Sequence, residues 1–404
     1  MSGMRPLEKL VSLDEALRSV DKASKPTNRT EKVQIWSACG RVLAEDIRAG
    51  IEVPSFTRSA MDGYAVRSAD VKSAMNKNPV VLKIVGKIFA GHVAKRAVKQ
   101  GQCIEIATGG MLPEGADAVI KVEDTSDRPR GSVSILSAVE RGENIIEAGS
   151  DIAKGARVAS RGEFLSPGKV GSIAAIGVDS VKCYAKPSVV VMPTGDEVVR
   201  PGEKLKPGQV YDVNTFTLKS AAMSFGAEVD VREIVGDSKE SLVDAISSES
   251  ADMIIFSGGS SVGEKDLIVD AVSELGEVLF HGVSIRPGKP TLLGKVGSSL
   301  VLGMPGHPTS CLSNAYIFLE PMITKIGRYP AGRRMTVAAK LSADAQLADG
   351  RTTVLPVRLE YGKAVPVFKE SSAITSMSNA NGYVIIPPSG KILRKGAAVT
   401  VTLF

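Results

Sequence analysis

The chain has 404 residues, more than one ordinary hydrophobic core organises, so two to four domains are expected. Its 50 basic and 44 acidic residues leave a net charge of +6, without blocks of like charge or aromatics interleaved with cations, which argues against a nucleic-acid partner. Cys39, Cys103, Cys183 and Cys311 form no C-x-x-C pair, and His92, His281 and His307 are equally scattered, which argues against a structural zinc site.

The first ten residues carry charges and no apolar core region, and no run reaches membrane-spanning length. A cytoplasmic protein away from the membrane is therefore expected. The 40 glycines and 21 prolines point to many turns and small β-rich units. Ser12-Leu13-Asp14-Glu15 is a capping box, and Leu13, Leu17 and Val20 share one helical face behind it. A second helix or strand is expected over 33–43. Residues 53–67 are irregular and polar yet contain bulky apolar side chains, a pattern common in functional loops.

From 80 to about 123 short β-like runs alternate with Gly and Pro, clearest at 80–85, 103–106 and 118–122. Residues 142–145 and 149–152 read as loops, and 166–176 as a helix. From 188 to 328 strand and helix patterns alternate: strands at 188–192, 228–235, 252–256, 277–280 and 300–302, helices at 215–225, 238–247 and 267–275, and a long helix opened by Pro308. Such alternation predicts an α/β domain with a mostly parallel sheet, which binds ligands at the carboxyl ends of its strands. After Gly327 strands are expected at 336–341, 352–360, 364–367, 382–387 and 397–403, making a small β-barrel or sandwich.

The chemistry gathers on loops. Ser257-Gly258-Gly259-Ser260-Ser261-Val262-Gly263-Glu264-Lys265-Asp266 joins a buried strand to a helix, where free N–H groups suit phosphate or another oxyanion. Asp266 either caps that helix or sits beside bound phosphate with a metal ion. Pro193-Thr194-Gly195-Asp196-Glu197 follows a strand end and is either a solvated turn or a place for a divalent cation or a positioned water. Arg286-Pro287-Gly288-Lys289-Pro290 holds two cations on a proline-stiffened turn, suited to a tetrahedral oxyanion or simply solvated. Gly303-Met304-Pro305-Gly306-His307-Pro308 leads into a helix, whose cap is His307.

Taken in order, these motifs resemble one family. Ser59-Ala60-Met61-Asp62-Gly63-Tyr64-Ala65, Thr108-Gly109 with Leu112-Pro113-Glu114-Gly115-Ala116-Asp117-Ala118, Gly142-Glu143-Asn144-Ile145, the 193–197 and 257–263 loops, Pro287-Gly288-Lys289-Pro290 and Pro305-Gly306 with Pro308 are similar to those of the MoeA family, the molybdopterin molybdenumtransferases, which include the gephyrin E domain. The resemblance covers nearly the whole chain. It implies an α/β multidomain protein with an elongated two-segment domain (1–50 and 142–182), an inserted β-rich domain (51–141), a molybdopterin-adenylyltransferase-like α/β domain (183–328) and a C-terminal β-barrel (329–404).

It also implies a reaction, the insertion of molybdate into adenylyl-molybdopterin with release of AMP and a requirement for Mg²⁺. The implied assembly is a homodimer whose active site lies between subunits, and a molybdopterin adenylyltransferase is an implied partner. Carried over residue by residue, the acidic set is Asp62, Asp151, Glu197, Asp237 and Asp266, with Glu197 and Asp266 as Mg²⁺ ligands. Arg286, Lys289, Arg351 and a serine of the 371–376 cluster, Ser371 or Ser372, receive the oxyanion, with Pro290 fixing the loop. Thr108, Ser257, Gly258, Gly259 and Ser261 contact phosphates or pterin.

The chain departs from the family pattern at Arg286, where many relatives have Lys, and at His307 and Thr309, which replace the Asn and Val of a Pro-Gly-Asn-Pro-Val form. Two alternatives stay open: a non-catalytic scaffold of the gephyrin E type, and a tungstate-inserting enzyme, since the two oxyanions share charge and nearly share size.

Overall fold

The computed structural model describes residues 10–128, 131–236, 238–258, 267–332 and 334–404, and these form two compact units. One comprises Lys32–Cys39 and Leu43–Lys182; the other comprises Met1–Glu31, Gly40–Val42 and Cys183–Phe404.

The first unit is built on a six-stranded sheet in the order Ala118–Lys121, Gly63–Val66, Gln102–Ile106, Val80–Ile88, Ser132–Ile135, Thr125–Arg128. Side chains alternate across a strand, so neighbours serve opposite cores. Tyr64, Val66, Cys103 and Ile120 join one cluster, while Ala65, Ile104, Ile106 and Val119 join the other. The segments leading into and out of this sheet run side by side. Ile47–Arg48 pairs antiparallel with Arg157–Ala159, Val53 bridges Ile152, and Arg58–Ser59 pairs with Ile145–Ile146. The β-rich sheet is thus an insertion between two paired strands of chain. The expected helix at 166–176 is Pro167–Ala175, capped by Ser166. The long element expected over 33–43 is absent: a strand to Gln34 gives way to a single turn, Ile35–Ser37, and then to loop.

In the second unit the capping box at Ser12 and Glu15 starts the helix Leu13–Ala23. Its α/β part has six strands in the order Glu228–Val231, Ser188–Pro193, Met253–Ser257, Ser299–Met304, Leu292–Val296, Glu277–His281. The first three interfaces are parallel and the last two antiparallel. Val190, Met192, Ile254, Phe256 and Val301 pack against Leu242, Ile246, Ile268 and Val272 of the helices Lys239–Ser247 and Leu267–Leu275. Helix Asn214–Phe225 packs against the strand Ser188–Pro193 and against Pro308–Asn314, and ends at Gly226 in the left-handed conformation. The helix begun by Pro308 runs on through a π turn at Ala315–Leu319 into Glu320–Ile326.

The last 70 or so residues close a barrel, in which edges disappear by mutual pairing. Thr352–Glu360, Lys363–Pro366, Thr336–Leu341, Ala398–Leu403 and Gly382–Ile386 pair in sequence, and Gly382–Ile386 returns to Thr352–Glu360. The strand Ile285–Arg286, which sequence patterning missed because it is only two residues long, pairs with Thr352 and Thr353. It ties the cation-bearing turn of the α/β part to the barrel. Among the described residues no helix is long and apolar enough to cross a membrane.

Candidate active site

Register builds the site. Pro193, Ser257 and Met304 sit opposite one another at the carboxyl ends of three adjacent parallel strands. The loops that follow, at Thr194–Glu197, at Gly258 and at Pro305–His307, therefore emerge side by side. Thr194 N–H donates to the Ser257 carbonyl at 3.2 Å. Gly258 has φ of +106°, and a Cβ there would lie 2.7 Å from the Thr194 carbonyl oxygen. Only glycine lets the two loops meet so closely.

These loops, the 285–290 turn and two barrel loops enclose a cavity of about 1050 Å³. It is lined by nine of the residues expected from sequence: Glu197, Ser257, Gly258, Arg286, Lys289, Pro290, Arg351, Ser371 and Ser372. Arg286, Lys289 and Arg351 form no ion pair among the described residues, whereas Arg232, Arg334 and Arg41 elsewhere in the protein each have a carboxylate partner. Unpaired cations around one cavity are the setting a dianion needs.

The turn that carries Lys289 is held from beneath. Asn314, fully buried on the helix Pro308–Asn314, donates through Nδ2 to the Gly288 carbonyl at 3.2 Å and to Thr291 Oγ1 at 2.5 Å. Thr291 in turn donates to the Gly288 carbonyl at 2.7 Å. Gly288 has φ of +106°, and the Asn314 amide occupies the space a Cβ would need.

Several lining residues were not expected from sequence. Asp212 and Asn214 precede and begin the helix Asn214–Phe225; both are buried. Asp212 Oδ1 accepts from Thr215 N–H at 3.0 Å, a capping contact that the Asp-x-x-Thr spacing ahead of an apolar run could have disclosed. Asn214 Nδ2 donates to the Gly306 carbonyl at 2.7 Å, while among the described residues its buried Oδ1 has no hydrogen-bond partner, nor has the buried Thr194 Oγ1. Burial, and after it the Asp212 charge, push the Cys311 thiol up, so that cysteine is a packing residue. His307 lines the cavity too. It stands at the helix start, yet its side chain makes no capping bond; Nδ1 lies 2.9 Å from Ser371 Oγ instead. The capping role expected for it is corrected accordingly.

Asp62, Asp151 and Thr108 belong to the other unit. Asp62 Oδ1 accepts from the Thr108 N–H at 2.7 Å and from its hydroxyl at 3.0 Å, and these bonds, the backbone one foremost, hold the carboxyl below the usual aspartate value. Thr108 thereby spends its donors on Asp62. Asp151 is exposed on a loop whose Asp151 N–H donates to the Val53 carbonyl. Asp237, Gly259, Ser261 and Asp266 lie outside the described residues.

Comparison with known proteins assigns this architecture. Residues 11–177 match the MoeA N-terminal region (domain I and II), 190–325 a probable molybdopterin binding domain, and 338–404 the MoeA C-terminal region (domain IV). A molybdopterin molybdenumtransferase of Haemophilus influenzae is 37% identical over 320 residues, 78% of each chain. The chain belongs to the MoeA family. Another molybdopterin molybdenumtransferase, from Bacillus subtilis, is 31% identical over 97% of this chain and 94% of its own length. A solved MoeA structure, a molybdopterin biosynthesis protein of Pyrococcus horikoshii, superposes with a TM-score of 0.83 at 39% identity, covering 98% of this chain and 99% of its own. Within this MoeA chain the cavity falls between the segment matched as molybdopterin binding domain and the C-terminal region, both in one compact unit.

Proposed function

We propose that this protein is a molybdopterin molybdenumtransferase, which inserts molybdate into adenylyl-molybdopterin and releases AMP in the assembly of the molybdenum cofactor. The observation that carries the reading is the gathering of Arg286, Lys289 and Arg351, without ion-pair partners among the described residues, with Glu197, Ser257 and Ser371 on one cavity. The names carried by its relatives agree with it.

In this reading the cations and the serine loop bind the tetrahedral dianion, and the 285–290 turn orients Lys289 through the Asn314 bonds. Ser257 and Gly258 present the strand-end loop to the phosphates of the nucleotide-capped pterin. Cleavage of the phosphoanhydride takes the elements of water, leaving AMP and the pterin phosphate, and calls for neutralised phosphate charge and an oriented water. Among the described residues no group of three or more His, Cys, Asp or Glu could hold a metal ion. Mg²⁺, however, is commonly held by one or two carboxylates together with substrate phosphates and waters. The exposed Glu197 carboxylate, and the Thr194 hydroxyl that has no hydrogen-bond partner among the described residues, supply oxygen donors at the cavity. We therefore propose Glu197, with Asp266 and Asp237, as the residues that would hold Mg²⁺, which supplies charge neutralisation at the anhydride. A homodimer in the cytoplasm, in which a second subunit brings Asp62, Asp151 and Thr108, completes the proposal.

The test is AMP release from adenylyl-molybdopterin with molybdate and Mg²⁺. Lys289→Ala is expected to raise the half-saturating molybdate concentration about tenfold or more, the cost of one charge-assisted hydrogen bond. Asp266→Asn is expected to abolish release while leaving pterin binding largely intact. Absence of AMP from the wild-type protein would favour a scaffold.

A further inference from the structure

We propose that Ser371 and His307 form a proton-gated contact for the oxyanion, so that binding of the dianion is coupled to protonation of the imidazole. The inference rests on the oxyanion reading of the cavity given above. Ser371 Oγ lies 2.9 Å from His307 Nδ1, and both residues line the cavity.

Both ends of this pair are anchored. On one side Asn214 Nδ2 donates to the Gly306 carbonyl at 2.7 Å, next to His307. On the other, Thr309 N–H donates to the Ser371 carbonyl at 3.0 Å, and Thr309 Oγ1 donates to the Ala373 carbonyl at 2.7 Å. His307 and Thr309 flank Pro308 at the start of one helix. Both residues reach the same serine loop, and a valine could not donate the second of those bonds.

The proton inventory gives the pair its function. A serine hydroxyl has one proton to donate. If Nδ1 is an acceptor, the imidazole takes that proton and Ser371 turns only lone pairs towards an anion. If Nδ1 carries hydrogen, it donates to Oγ and the hydroxyl proton is released for the oxyanion. The neutral ring carries a single N–H and accepts the Ser371 proton whenever that hydrogen sits on Nε2; the imidazolium always donates from Nδ1 and adds a positive charge to the site.

Charges of both signs surround the pair. Arg286 and Lys289 on the turn, Arg351, and Lys369 beside the serines line the same cavity as His307. Glu197, Asp212 and Glu370 offset them in part. An entering dianion reverses the balance and draws a proton onto His307.

The experiment is calorimetric titration of the full-length protein with micromolar molybdate over about pH 6 to 8.5, the range in which imidazoles change charge. It is repeated in buffers of differing ionisation enthalpy. Affinity is expected to tighten about fivefold or more towards the acid end, with net proton uptake. His307→Asn, which keeps a polar side chain but cannot titrate, is expected to lose that slope and so reports the titration of molybdate itself. Ser371→Ala is expected to weaken binding mainly at the acid end, because there the ring always donates to Oγ, whereas the neutral ring in its Nε2–H tautomer takes the hydroxyl as its own donor. An equal slope in His307→Asn, an equal Ser371→Ala effect at both ends, or no proton uptake by the wild-type protein overturns the proposal. If molybdate binds at no pH, the oxyanion reading of the cavity falls with it.

Discussion

Two polar clusters of this protein handle charge in opposite ways. In the unit built on the β-rich sheet, Asp62 is satisfied locally: two donors of Thr108 close on one carboxylate oxygen and hold it ionised. In the other unit, Arg286, Lys289 and Arg351 surround a cavity and receive no carboxylate among the described residues. A carboxylate held ionised by donors of its own unit carries its charge whether or not a ligand is bound. Arg286 and Lys289 sit on a turn braced by the buried Asn314 and Thr291, and neither has an ion-pair partner among the described residues. The contrast separates charge satisfied within its own unit from charge without an ion-pair partner among the described residues, the kind a substrate anion can engage.

The comparison can be broken most forcefully at the brace. Gly288→Ala places a methyl where the Asn314 amide sits, at a φ of +106°. A loss of roughly 2–4 kcal/mol in urea denaturation is expected, together with loss of molybdate binding. An unaltered midpoint would mean that the turn is not rigid. A smaller effect distinguishes reserved from satisfied cations. Arg351→Ala is expected to weaken molybdate binding about tenfold. Arg232→Ala, which removes a guanidinium bonded to Glu249 at 2.5 and 3.0 Å, is expected to leave it unchanged. Equal losses in equilibrium dialysis would erase the distinction. The smallest effect is on the Asp62 side. Because the folded-state value of Asp62 is depressed, its ionisation stabilises the protein above the ordinary aspartate range and that contribution is lost as the pH falls through the lower folded value. The difference in Tm between wild type and Asp62→Asn is expected to be largest near neutrality and to shrink below about pH 4. A difference constant with pH would show that the Thr108 bonds contribute nothing to ionisation.

Much of this was legible in one dimension. The Ser12–Glu15 capping box, the helix Leu267–Leu275 and the strands Thr336–Leu341 and Thr352–Glu360 follow from local caps and periodicity, and fall where patterning places them. The strand Leu292–Val296 was missed, since a short apolar run interrupted by Gly294 carries little periodic signal. The loop motifs named the cations and Glu197. Asp212 and Asn214 escaped notice because a capping residue ahead of a helix is common, and nothing local says that the helix start opens on a cavity.

The sequence by itself determined which residues carry the charge and on which loops they ride, because glycines, prolines and caps act over a few residues. Only the tertiary structure decided their company. Parallel register aligns Pro193, Ser257 and Met304, closure of the barrel carries Arg351 and Ser371 to the 285–290 turn, and His307 turns from its helix to meet a serine 64 positions away. Those contacts join segments distant along the chain, and they arise from packing and strand pairing, which local propensity does not encode.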